Sequence, residues 1–140
     1  MYSLDELKKQ NQEITDLCEV LSILMEQKGM HDNPVVCELM TRFKEKVWMH
    51  LVFEDNTIYT ALANHNDTSV SEIAKNFHDS AKAIKKRFTA FVSHWCHPAV
   101  DDAQHEMLTN ECRNIFSQIV DRVKYENEKI FPLVEKHQSH

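Results

Sequence analysis

The chain has 140 residues, one domain's worth, and its 42% hydrophobic and 27% charged residues exclude a disordered segment. One Gly and three Pro cannot supply the turn every ~8–12 residues that an all-β domain needs, so the composition points to helices with short connections. A formal net charge of −6 argues against a nucleic-acid binder, which starts from a basic face.

Ser3-Leu4-Asp5-Glu6 is a capping box, with Ser as N-cap and Glu at the third helical position. Leu4, Leu7, Ile14, Cys18, Leu21 and Met25 follow at helical spacing and predict a helix over 3–28, closed by Gly29 where the chain needs positive φ. Asn33-Pro34 restarts the chain as N-cap and first helical residue. Val36, Met40, Phe43 and Val47 carry a second helix over 34–63, and Asn64-His65-Asn66-Asp67 is a polar turn. Ser69-Val70-Ser71-Glu72 is another capping box, opening a third helix over 69–96. Its seam is Ile73, Phe77, Ala81, Ile84, Phe88, Phe91 and Trp95, and Pro98 breaks it. Leu108, Cys112, Ile115 and Ile119 mark a fourth helix over 99–136, with no evident cap, which Pro132 should kink or end. Long helices with short links predict an all-α, up-down-up-down antiparallel four-helix bundle, a single domain over 1–140.

Each seam, extended, runs into polar residues. Leu7 leads to Asn11, Val47 to His50 and Glu54, and Ile119 to Arg122 and Glu126, while His78 borders the stripe beside Phe77. In an antiparallel bundle these six residues share one layer, about 12–22 Å from one end at helical rise. Such a layer is costly unless its members satisfy one another or a metal, and facing helices are where bundles build metal sites. His and Glu at i and i+4 project from one helix face, and imidazole with carboxylate suits Fe, Mn or Zn.

His50-Leu51-Val52-Phe53-Glu54, His78, Glu126 and the tail Glu128-Lys129-Ile130-Phe131-Pro132-Leu133 resemble the hemerythrin family, closest to its His-His-Glu cation-binding branch. The resemblance spans nearly the whole chain. It implies a four-helix bundle around non-haem iron, with His50, Glu54, His78 and Glu126 as metal ligands. Asn11 and Arg122 stand where the family has histidines on its first and fourth helices, and Lys82 where its third helix often has a second one. Arg cannot ligate a metal, because it stays protonated. The resemblance therefore implies a reduced site, with one non-haem iron or other divalent cation, serving sensing or regulation rather than oxygen transport. Oxygen or nitric oxide would be the small ligand at the metal. The alternative is a metal-free regulatory bundle in which Arg122 pairs with Glu54 and Glu126 and the chain binds a protein partner. Arg122-Val123-Lys124-Tyr125-Glu126-Asn127 is similar to a stretch of the regulator-of-sigma-D anti-sigma family, which acts that way.

Other features carry less. Lys82, Lys86 and Arg87 make the third helix locally basic and form a candidate partner surface. His31, Cys37, His94, Cys96, His97 and His105 gather at the opposite end of the bundle without a zinc-motif spacing, and the histidines read as surface residues. There is no glycine-rich phosphate loop and no Ser-His-Asp order, so an enzyme is not expected, with iron-dependent redox activity left as the alternative. The start of the chain lacks a basic region followed by an apolar run, no stretch is apolar enough for a membrane span, and the four cysteines form no CxxC pair. These features predict a cytoplasmic protein with reduced thiols.

Overall fold

A computed structural model describes residues 3–27, 29–30, 33–63, 65–95 and 101–138. Helix α1 (Leu4–Met25) begins at Ser3, whose hydroxyl accepts from the Glu6 backbone N–H. Gly29 has φ of 85°, the conformation expected of it. Helix α2 begins at Asn33, whose side chain accepts from the N–H groups of Val35 and Val36, and runs over Pro34–Glu54. It widens into a π turn (Asp55–Tyr59) and finishes over Thr60–Leu62.

Helix α3 (Thr68–Trp95) starts one residue earlier than predicted. Its cap is Asp67 rather than Ser69: the Asp67 carboxylate accepts from the Ser69 N–H at 3.0 Å and from its hydroxyl at 2.7 Å. A carboxylate makes the stronger acceptor at a positive helix end, so Ser69 is drawn into the first turn. Helix α4 has the cap that the sequence did not reveal. Asp101 and Gln104 form a reciprocal capping box, and the helix runs over Asp102–Tyr125. It passes through a second π turn (Glu126–Ile130) and continues over Phe131–Gln138. Pro132 does not end it. The π turn just before has already displaced the usual i−4 hydrogen bonds, so the missing N–H of Pro132 disrupts little.

Each helix packs chiefly on its two neighbours, α1 on α2 and α4, and α3 on α2 and α4, which closes the antiparallel four-helix bundle. The apolar interior is in two parts. The larger includes Ile14, Cys18, Leu21, Phe43, Val47, Leu51, Phe88, Ile115 and Ile119. The smaller, at the other end, includes Leu7, Ile58, Leu62, Phe77, Ile130 and Phe131. Asn11 on α1, Glu54 on α2 and Glu126 on α4 each fall in sequence between residues of the two parts, so a polar layer divides the core. No described helix is long and apolar enough to cross a membrane.

Candidate metal centre

The layer is dry. Asn11, Glu54 and Glu126 are wholly buried, and His50 is 3% exposed. One ligand atom from each of His50, Glu54 and Glu126 lies within 4.8 Å of the others, the only such group among the described residues. His50 Nε2 stands 3.3 Å from both Glu54 Oε2 and Glu126 Oε1. Helical geometry dictates half of this, since His50 and Glu54 are i and i+4 on α2. The other half needs α4 to present Glu126 at the same height.

His50 is held from behind. Its Nδ1 lies 2.7 Å from Gln10 Oε1, an acceptor only, so Nδ1 carries the proton and donates. In the neutral ring this leaves the Nε2 lone pair facing the two carboxylates, the tautomer a metal requires. Asn11 Nδ2 donates to Glu126 Oε1 at 2.8 Å. Arg122 approaches from the α3 side, with Nε 3.0 Å from Glu126 Oε2 and Nη2 3.5 Å from Glu54 Oε1. The Nε contact is an ion pair without hydrogen-bond alignment, as both atoms lack a bonded partner. The guanidinium is fixed on its other side by Phe77 O at 3.1 Å and Ser80 Oγ at 2.6 Å, and it lies over the Phe77 ring.

Four buried oxygens accept no hydrogen bond: both of Glu54, Glu126 Oε2 and Asn11 Oδ1. Orphaned acceptors at this density are expensive. Glu54 Oε2 faces His50 Nε2, while Glu54 Oε1 and Glu126 Oε2 face the Arg122 guanidinium. Burial, with Glu126 alongside, pushes the Glu54 carboxyl up to about 8. Burial opposes a charged His50, yet the two carboxylates raise its pKa to about 9. Burial also works against ionised Glu126, but its close partners, His50 and Arg122 among them, hold it below the usual carboxylate range. A hard cation with imidazole and carboxylate donors fits this set, because it meets the orphaned oxygens and displaces the proton.

Of the four ligands expected from the sequence, the structure brings His50, Glu54 and Glu126 together. His78 is not one of the trio. It is half-buried on α3, and its Nδ1 pairs closely with Asp55, the first residue of the π turn on α2. Asn11 and Arg122 both border the trio through Glu126. Gln10 was missed, since a polar residue beside a seam is ordinary and nothing in the sequence ties it to His50. On the basic stretch of α3, Lys82 and Lys86 are exposed, whereas Arg87 pairs with Glu111 of α4 at 2.8 Å. His105, read as a surface residue, is buried on α4 beside Thr109. His31, Cys96 and His97 lie outside the described residues.

A family model described as the hemerythrin HHE cation binding domain matches residues 3–134. No curated protein and no solved structure matches the chain.

Proposed function

The chain belongs to the hemerythrin HHE cation-binding domain family, and from that premise we propose that it holds one non-haem iron at His50, Glu54 and Glu126 and serves in sensing or regulation rather than oxygen transport. The observation that carries this reading is the buried trio itself: His50 Nε2 stands 3.3 Å from both Glu54 Oε2 and Glu126 Oε1, and neither Glu54 oxygen accepts a hydrogen bond. When bound, iron supplies a redox-active centre with positions open to a small ligand such as oxygen or nitric oxide. The chain's own residues do the rest. Gln10 sets the His50 tautomer, Asn11 orients Glu126, and the apolar clusters on either side keep water out. A fixed positive charge about 4–5 Å from a divalent ion costs about 6–8 kcal/mol at an effective dielectric of 20, so Arg122 disfavours a second cation and has to turn from Glu54 and Glu126 for the first to bind. A cytoplasmic location is part of this proposal.

Metal content, measured by mass spectrometry on protein purified under nitrogen without chelators or a His tag, tests the reading. We expect about one iron per chain, lost in His50→Ala and in Glu54→Ala. Iron close to zero in the unaltered protein would overturn it.

One observation favours a second reading. Arg122 already lies against both carboxylates, so it can serve as the layer's cation in a metal-free bundle that binds a protein partner, with exposed Lys82 and Lys86 available for the contact. In that case Arg122→Met, studied by urea unfolding in the presence of chelator, should lose about 3–5 kcal/mol. A loss under about 1 kcal/mol would argue against a structural Arg–Glu network.

A further inference from the structure

Arg122 faces two ways. Inward it meets Glu54 and Glu126 at 3.5 and 3.0 Å. Outward it lines a groove of about 710 Å³ between α3 and α4, with Ile73, Phe77, Ser80, Ile84 and Tyr125 along the walls. Its side chain is only 9% exposed, so its charge depends on neighbours rather than on water.

The charges do not balance once a cation is bound. Glu54 and Glu126 supply at most two negative charges, and Arg122 is a permanent cation. A divalent ion takes both charges and leaves the guanidinium without a counter-charge, which burial strongly disfavours. The groove reaches the guanidinium from outside. The other arginine there, Arg87, is already paired with Glu111 at 2.8 Å. The groove's acid, Asp121, makes no ion pair with Arg122, whose two carboxylate partners among the described residues are Glu54 and Glu126, so Arg122 is the cation left without a partner.

We propose that this groove binds an organic carboxylate, its head paired with Arg122 beside Ser80 and its apolar tail along Ile73, Phe77 and Ile84, and that this ligand and the divalent cation bind cooperatively. The inference rests on the cation reading above. A planar carboxylate matches the guanidinium fork and carries the single negative charge required. Asp121 also lines the groove and disfavours a doubly charged head, while the largely apolar walls suit a hydrocarbon tail. Cooperativity follows from sharing one residue: the ligand draws Arg122 outward and frees the carboxylates, and by linkage the cation strengthens the ligand equally.

The test is a calorimetric titration of the full chain with Zn²⁺, a redox-inert stand-in for ferrous iron, in a carboxylate-free buffer. It is run alone, with hexanoate and with hexanol. Hexanoate should tighten Zn²⁺ binding about tenfold or more, and hexanol should not. Ser80→Asp places a carboxylate beside the guanidinium at an exposed position, where Ser80 Oγ now stands 2.6 Å from Arg122 Nη1. That variant should bind Zn²⁺ more tightly without hexanoate and lose the response to it. Zn²⁺ binding that hexanoate leaves unchanged would overturn the inference while the cation reading stands. So would a Ser80→Asp variant that responds to hexanoate as the unaltered chain does. No Zn²⁺ binding in any of the three titrations would sink the cation reading itself, and this inference with it.

Discussion

At the residue scale, the His50 ring is set by Gln10. The 2.7 Å contact between His50 Nδ1 and Gln10 Oε1 fixes the tautomer and aims Nε2 at the carboxylates. Loss of such a supporting partner typically weakens metal binding by about 10–100-fold. Gln10→Leu should show that loss in a cation titration, with helicity by circular dichroism unchanged. An unaltered affinity would mean that the ring is oriented by packing alone. His50 and Glu54 were legible in the sequence as a face-sharing pair, because their relation is set within one helix. Gln10 was not, because its partner comes from a different helix and the sequence carries no record of which residues of α1 look toward α2.

At the scale of the element, both π turns occur at the site. In α2 the wide turn starts just after Glu54, with the Thr60 N–H bonded to Asp55 O. In α4 it starts at Glu126 itself, with the Phe131 N–H bonded to Glu126 O. Each absorbs one extra residue and re-aims the residues at its start, a device found often at functional sites. Deleting the exposed Asn56 should restore ordinary α-helical hydrogen bonding through this stretch of α2. The expected result is a retained helical signal with weakened cation binding. Retained binding would show that the turn has no part in placing Glu54. Neither turn is legible in the sequence. The apolar spacing Leu51, Ile58 and Leu62 satisfies an uninterrupted helix as readily as one with a π turn, so the periodicity reads straight through.

At the scale of the whole molecule, the buried layer links stability to pH. Glu54, at about 8, and His50, at about 9, both hold protons more tightly in the folded chain than at their ordinary values of 4.5 and 6.5. Their contribution is complete below those ordinary values and is lost as pH rises through 8 and 9. Glu126 is shifted the other way, so its contribution is lost in acid, as pH falls below the usual carboxylate range. The chelated protein should therefore melt at progressively lower temperature between about pH 4.5 and 9, most steeply above 6.5 where both groups contribute. A cation competes with the protons on Glu54 and His50, so its affinity should rise over the same window. The melting temperatures of the loaded and chelated forms should diverge accordingly. Parallel, flat profiles for both forms would contradict the protonation scheme.

The sequence by itself determined the four helices, the apolar stripe of each and the existence of a polar layer, because a 3.6-residue period and a cap are local properties of the chain. It also determined that His50 and Glu54 share one helix face. The tertiary structure decided which of the layer's members meet. Periodicity places a side chain around its own helix axis but says nothing of how that helix is rotated or raised against its neighbours. Packing settles that rotation: it buries Phe77 and leaves the adjacent His78 half-buried against Asp55, while α4 carries Glu126 wholly inside to His50. Arg122 shows the same division. Its position in the layer follows from spacing on α4. Its place between two carboxylates, with Phe77 and Ser80 at its back, exists only because three helices close around it.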